Sequence, residues 1–552
     1  MRKPQTLLWL LSALSALLLS LPWLVPHTGA LALVAFVPLL IADAVAEQCK
    51  VRASWLYPSV AFVAWNAATT FWVCNATVGG GIFAVLGNAF QMLLVWLLFR
   101  LAKKKMGGVL PYIFLAAMWI AWERRYFAVD ISWPWLTLGN AFAQSTRSVQ
   151  WYEYTGTLGG SLWAWAANLG IFGLLVASAD GYWRRWNALA RVCAALGITL
   201  VVAGPVVLSK CIWASFEERS EATVDVVIGQ PNFDPYQKSG SASAFGDGSS
   251  PVMSQAQQTS VLLDEFAAAL EARPAGRPVL LLAPETFTGD IFLNAPESSP
   301  TVHAVREFLA ARPGAQLLFG ASTYDVVQTH AAPTILARPY GAGWILSHNS
   351  AVLAPGEGPL EFYHKSKLVV GTELTPYPRI FVPLDNWVSR KLDVGGLMGC
   401  CVGQDEVSLL HFGPERTPLG CAVCYESVFG EYCAEYVRAG ARAMTIITND
   451  AWWGDTPGYR QHLSYARLRA IELRRDIARC GNTGISCFID QRGEVLEQTQ
   501  WWTRGTLSGE INLNSEQTAF VRHGDIVGRI CTLLFLLLAA LLLVRLVLPR
   551  SK

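Results

Sequence analysis

GCAVCYESVFGEY (residues 420–432) carries the apolar run 417–424 straight into a cysteine. The run reads as a strand, and α/β domains build their sites in the loops that follow strands. A lone Cys at a strand end is more often a buried small hydrophobe than a nucleophile, so Cys424 by itself leaves both readings open. Two other stretches share the form. VLLLAPETF (279–287) brings Glu285 to the end of a run too apolar to be solvated. Such a carboxylate either pairs with an Arg or Lys or has a raised pKa suited to taking a proton near neutrality. YHKSKLVVGTELTPYP (363–378) places Lys365 and Lys367 two residues apart. On a strand they share one face, either as a solvated basic edge or as a cation aimed at chemistry.

Outward from these stretches, residues 221–515 consist of short apolar runs, often β-branched, separated by Gly, Pro, Asn and Asp. That texture predicts a soluble α/β domain of alternating strands and helices. Expected strands are 223–230, 278–285, 315–322, 348–354, 363–370, 417–424, 442–449 and 482–489. Leu463, Ala466, Ala470, Leu473 and Ile477 recur at 3-4-3-4 spacing, which predicts a helix over 461–479. The Ser/Gly-rich stretch 239–250 reads as a loop.

The remainder is different in kind. Hydrophobic residues make up 53% of the 552, and mean hydropathy is +0.33, so part of the chain is expected in lipid. Seven apolar stretches, 6–24, 29–46, 54–76, 81–102, 107–122, 159–179 and 190–209, precede the α/β part, and an eighth covers 526–547. Most approach the ~20 residues that span a bilayer. The first follows Arg2 and Lys3 and could be read as a cleaved signal; its length and the spans that follow at once favour a retained helix. Domain boundaries are therefore expected at 1–212, 221–515 and 525–547.

Lys50 and Arg52, then Arg100, Lys103, Lys104 and Lys105, then Arg184, Arg185 and Arg191 fall in alternate loops, on the side of Arg2 and Lys3. By the positive-inside rule that side is the cytoplasm, which puts residues 221–515 outside. The loop 123–158, with Trp133, Trp135, Trp151 and Tyr152, reads as an interfacial segment on the outer side. The net charge of +2, from 43 basic and 41 acidic residues, gives no reason to expect nucleic acid as a partner. The 12 cysteines read as neither a zinc knuckle nor a thioredoxin motif.

In order Glu, Lys, Cys, each at a strand end, the three stretches together resemble the nitrilase superfamily. Within it, the chain resembles the bacterial apolipoprotein N-acyltransferase family over nearly its whole length: multiple spans, a nitrilase-like domain, one closing span. The family motif K-x-x-L-V-P-F-G-E stands here as KSKLVVGTE (365–373), which favours Lys365 over Lys367. Val370, Gly371 and Thr372 replace its Pro-Phe-Gly, and 376–404 is distinctive. ITNDAWWGDTPGYRQHL (447–463), CGNTGISCFIDQRGEV (480–495) and WPWLTLGNAFAQ (133–144) also fit.

The resemblance implies a polytopic α-helical membrane domain joined to an α-β-β-α sandwich. It assigns catalysis to Glu285, Lys365 and Cys424, support to Glu373 and Glu426, and substrate binding to Trp452, Trp453 and Tyr425, with no metal or other cofactor. The implied reaction is ping-pong. Cys424 takes an acyl group from a phospholipid donor and passes it to the α-amino group of a diacylglyceryl-modified apolipoprotein. The implied setting is the bilayer of the bacterial inner membrane, with catalysis on the periplasmic face. Two rivals share the residues: a membrane-tethered amidase acting on a soluble substrate, and a scaffold with an inactive domain. A soluble substrate needs no eight spans, and the apolar segment Tyr377 to Trp387 reads as a lid for acyl chains.

Overall fold

Long runs of Leu, Ala, Val and Trp leave a backbone in lipid no partner but itself, so these stretches fold as helices. The computed structural model describes residues 2–235, 253–271, 273, 277–392 and 399–548. The stretch 239–250 lies outside them, as does 393–398 within the distinctive segment. The chain divides into two compact units. One comprises Met1–Phe216, Asp455–Leu468 and Arg522–Lys552, and the other Glu217–Gly454 with Arg469–Val521.

In the first unit, six helices among the described residues are long and apolar enough to cross a membrane. They are Pro4–Leu24, Gly29–Gln48, Val78–Lys105, Thr157–Ala179, Ala188–Ser215 and Ile526–Val547. The stretches 54–76 and 107–122 form shorter helices, Leu56–Thr70 and Leu110–Tyr126. The segment expected at the interface turns inward: Trp135 and Tyr152 are buried, and the Tyr152 hydroxyl donates to Gly139 O at 2.9 Å. Asp455–Leu468, which the sequence places inside the α/β domain, belongs to this unit. Gln461 shows why. Its amide donates to Trp23 O at 3.2 Å and Thr69 O at 3.1 Å, and its Oε1 accepts Trp135 Nε1 at 2.7 Å.

The second unit holds two sheets. The larger is built from β1 (Ala222–Gln230), β2 (Val279–Leu282), β3 (Thr288–Phe292), β4 (Ala315–Val327), β5 (Arg338–Tyr340), β6 (Gly343–Pro355) and β7 (Glu361–His364). The smaller contains β8 (Leu410–Phe412), β9 (Thr417–Val423), β10 (Ala443–Thr448), β11 (Ile477–Gly481), β12 (Cys487–Ile489) and β13 (Val495–Gln498). β14 (Gly505–Leu513) returns to the larger sheet, whose order is β14-β1-β2-β4-β6-β5 with β3 on β4 and β7 on β6. The smaller runs β13-β12-β11-β10-β9-β8. Helices Gln255–Glu271 and Pro300–Ala310 set Leu262, Phe266, Val302 and Leu309 into one core with Val227, Leu281, Leu317 and Val352 of the larger sheet. The sheets meet closely: the Cys480 thiol donates to Gly229 O at 3.2 Å.

Several expected elements end elsewhere, three of them for reasons the hydrogen bonds and backbone show. The strand expected over 363–370 stops at His364: Lys365 N still donates to Asn349 O of β6, in register with the ladder, but Ser366 N and Lys367 N donate to the Glu426 carboxylate instead. Lys365 and Lys367 consequently share no strand face. The helix expected over 461–479 is Pro457–Leu473, closed by Arg474 at φ 48°, and Ile477 lies in β11, paired parallel with β10. An apolar stripe continuing into a buried strand is what misleads the period there. The strand expected over 482–489 is only β12, since Asn482 spends its side chain on Phe233 O at 2.6 Å and Asn449 Oδ1 at 3.1 Å.

Candidate active site

β2 delivers Glu285 three residues past its last paired residue. Gly320 on β4 lets that turn lie close: a Cβ there would stand 2.5 Å from the Glu285 Cα. β7 delivers Lys365 and β9 delivers Cys424, which sits at φ 51° at the head of a single turn, Cys424–Val428. That left-handed backbone is costly for a residue with a side chain, and such strain concentrates at functional positions.

The Lys365 ammonium is buried and stands 2.9 Å from Glu285 Oε1 and 3.0 Å from Glu373 Oε2. Asn349 on β6 bridges the same carboxylates, donating to Glu285 Oε1 at 2.8 Å and Glu373 Oε1 at 2.6 Å. Asn449 N donates to Glu285 Oε2 at 3.1 Å, and Val369 N to Glu373 Oε2 at 2.7 Å. Burial opposes the lysine's charge, but Glu285 and Glu373 outweigh it and hold the ammonium well above its ordinary pKa. Two carboxylates around one ammonium leave a net negative charge beside the thiol. Burial first, then Glu285, pushes Cys424 well above the ordinary thiol value, while Lys365 acts the other way. The resting thiol therefore keeps its proton.

Glu426 is a clamp. Its Oε1 accepts Tyr363 OH at 2.6 Å, Ser366 N at 2.7 Å and Lys367 N at 3.1 Å, and its Oε2 accepts Val423 N at 2.8 Å. It thus ties the lysine loop to the residue before the cysteine. Burial raises its pKa to about 6 against the pull of those hydrogen bonds. Lys367 points elsewhere, its ammonium 5.2 Å from the Tyr432 ring centre. Trp452 and Trp453 occupy the short turn Asp450–Trp453 after β10, with Trp452 36% exposed. Tyr425 is buried, its ring edge-on to Phe429 at 5.0 Å.

Asn349 is the member that sequence reading misses: a polar residue inside an apolar strand was the available signal. CAVC (421–424) does have C-x-x-C spacing, and both cysteines are buried free thiols. Burial pushes Cys421 up to about 12. A buried carboxylate, a cation and a thiol on a strained turn are together equipped for nucleophilic attack on a carbonyl and for holding the resulting oxyanion.

A family model for carbon-nitrogen hydrolases matches residues 280–519, and one for the apolipoprotein N-acyltransferase N-terminal domain matches residues 15–170. The apolipoprotein N-acyltransferase of Chlorobaculum tepidum is 29% identical over 531 residues, which cover 94% of each chain. That of Geobacter metallireducens is 25% identical over 533 residues, 95% of this chain and 93% of its own.

Proposed function

The chain belongs to the apolipoprotein N-acyltransferase family, and from that premise we propose that it N-acylates lipoproteins by a ping-pong reaction through a thioester on Cys424. The protein is membrane-bound and the reaction is acyl transfer. Glu285 removes the thiol proton as sulfur attacks an ester carbonyl of a phospholipid. Lys365 and neighbouring backbone N–H groups hold the oxyanion. On collapse, the C–O bond breaks, the leaving alkoxide takes the proton from Glu285, and a lysophospholipid departs. The α-amino group of a diacylglyceryl-cysteine then attacks the thioester, Glu285 takes its proton, the C–S bond breaks and the sulfur is reprotonated. Glu373 and Glu426 position the lysine and the cysteine turn. The catalytic domain faces the periplasm, where acceptor lipoproteins are exposed.

The observation that carries this reading is the contact of the buried Lys365 ammonium with Glu285 at 2.9 Å, in the field that acts on Cys424. Purified protein incubated with phospholipid alone tests it. A hydroxylamine-labile acyl adduct mapping to Cys424 by mass is the expected result. Labelling of another cysteine, or an adduct that persists in Cys424→Ala, overturns it.

A further inference from the structure

Beside Cys424, and distinct from Glu285, Lys365 and Glu373, lies a second buried charged group. β9 and β10 pair in parallel with Ile447 opposite Val423, so the next residues, Thr448 and Cys424, leave adjacent strands side by side. The Thr448 hydroxyl donates to Asp450 Oδ1 at 2.7 Å, and Arg479 Nη2 donates to Asp450 Oδ2 at 2.6 Å. Arg479 also donates to Ile485 O. All three side chains are fully buried.

A buried ion pair costs desolvation that its attraction barely offsets, so stability alone explains this one poorly. The hydroxyl is the informative part. Threonine has one O–H hydrogen, which can go to Asp450 or to a neighbouring acceptor but not to both. Arg479 keeps Asp450 charge-paired whichever way that hydrogen points.

We propose that Thr448 is a switching hydrogen-bond donor, bonded to Asp450 while Cys424 carries its proton and turned to the sulfur when the thiolate forms, with Arg479 holding Asp450 in the interim. The proposal rests on Cys424 being the nucleophile. The direction of Thr448's effect on the thiol agrees, since its hydrogen bond lowers the pKa that burial, Glu285 and Asp450 raise. Thr448 would be catalytic by touching the reacting sulfur, and Asp450 and Arg479 would be positioning residues.

Thr448→Val keeps the shape and removes the hydrogen. Carbamidomethylation of Cys424 by iodoacetamide at fixed pH should slow by roughly ten- to a hundredfold, the range for a hydrogen bond to a charged acceptor, and Thr448→Ser should restore it. Single-turnover acylation from phospholipid vesicles should slow in parallel. A merely structural role predicts the opposite sign, because a loosened site exposes the thiol and speeds alkylation. Unchanged or faster alkylation, or no rescue by serine, overturns the proposal; Thr448→Ala is read the same way should valine disturb the fold. Alkylation needs no acyl donor, so it separates this inference from the functional reading. A wild-type protein that forms no adduct on Cys424 loses the latter, and normal alkylation in Thr448→Val loses only the former.

Discussion

At the residue scale the balance of charge around Lys365 has opposite consequences for its neighbours. Glu285→Gln removes the group that accepts the thiol proton, so acylation should fall by a hundredfold or more. It also removes a negative charge that raises the Cys424 pKa, so iodoacetamide should alkylate that cysteine faster, and from a lower pH, than in wild type. Slower alkylation in Glu285→Gln would contradict this electrostatic picture. Lys365→Met strips two buried carboxylates of their cation. Breaking such a pair costs about 3–5 kcal/mol, so a lowered Tm should accompany an acylation loss on the order of a hundredfold. Lys367→Met removes an aromatic contact of about 0.5–1 kcal/mol, and single-turnover acylation should change little. Equal losses at both lysines would mean that neither is a specific oxyanion donor.

At the element scale the site is assembled from strand exits, and their spacing is set by close backbone packing. A methyl at Gly320 would stand 2.5 Å from both the Glu285 Cα and Thr286 N. Gly320→Ala should therefore push β4 and the Glu285 turn apart, costing about 1–3 kcal/mol by overpacking and misplacing the base. Thermal unfolding and single-turnover acylation measure the two effects. A full-rate variant with a wild-type Tm would show that the turn has slack the packing denies. Glu426 is the corresponding clamp between the lysine loop and the cysteine turn, four of whose polar groups converge on its carboxylate. Glu426→Gln replaces one acceptor oxygen by a donor that cannot serve those groups, so acylation should fall although no reacting atom is touched.

For the whole molecule, Asp455–Leu468 belongs with the helices although it lies inside the span matched by the carbon-nitrogen hydrolase model. Gln461 and Tyr465 find their partners in residues 1–216: Trp23 Nε1 donates to the Tyr465 hydroxyl at 3.0 Å, and that hydroxyl donates to Trp135 O at 2.8 Å. A fragment spanning 217–521 strips these groups of their partners. It should aggregate or bind a hydrophobic dye where the full chain in detergent does not; a monodisperse, dye-free fragment would refute this. Topology is tested separately. Cysteine labelling should find Lys104 and Arg185 positions cytoplasmic and 221–515 external, and labelling of the α/β part from the cytoplasm would remove both the orientation and the acceptor.

The sequence alone determined what composition and order carry: which stretches are too apolar for water, where most of the strands run, and that Glu285, Lys365 and Cys424 each lie in or just after an apolar run. These are local properties, written in period and hydropathy. Tertiary structure decided the rest, because the deciding partners lie far along the chain. Asn349 bridges two carboxylates, 64 and 24 residues away, that no pattern links to it. Lys365 is separated from Lys367 by a strand that ends early, as Glu426, about 60 residues on, takes the amides of Ser366 and Lys367. Thr448 reads as one more β-branched strand residue until register sets it beside Cys424. Periodicity reports which face of an element is apolar; only the fold reports what that face meets.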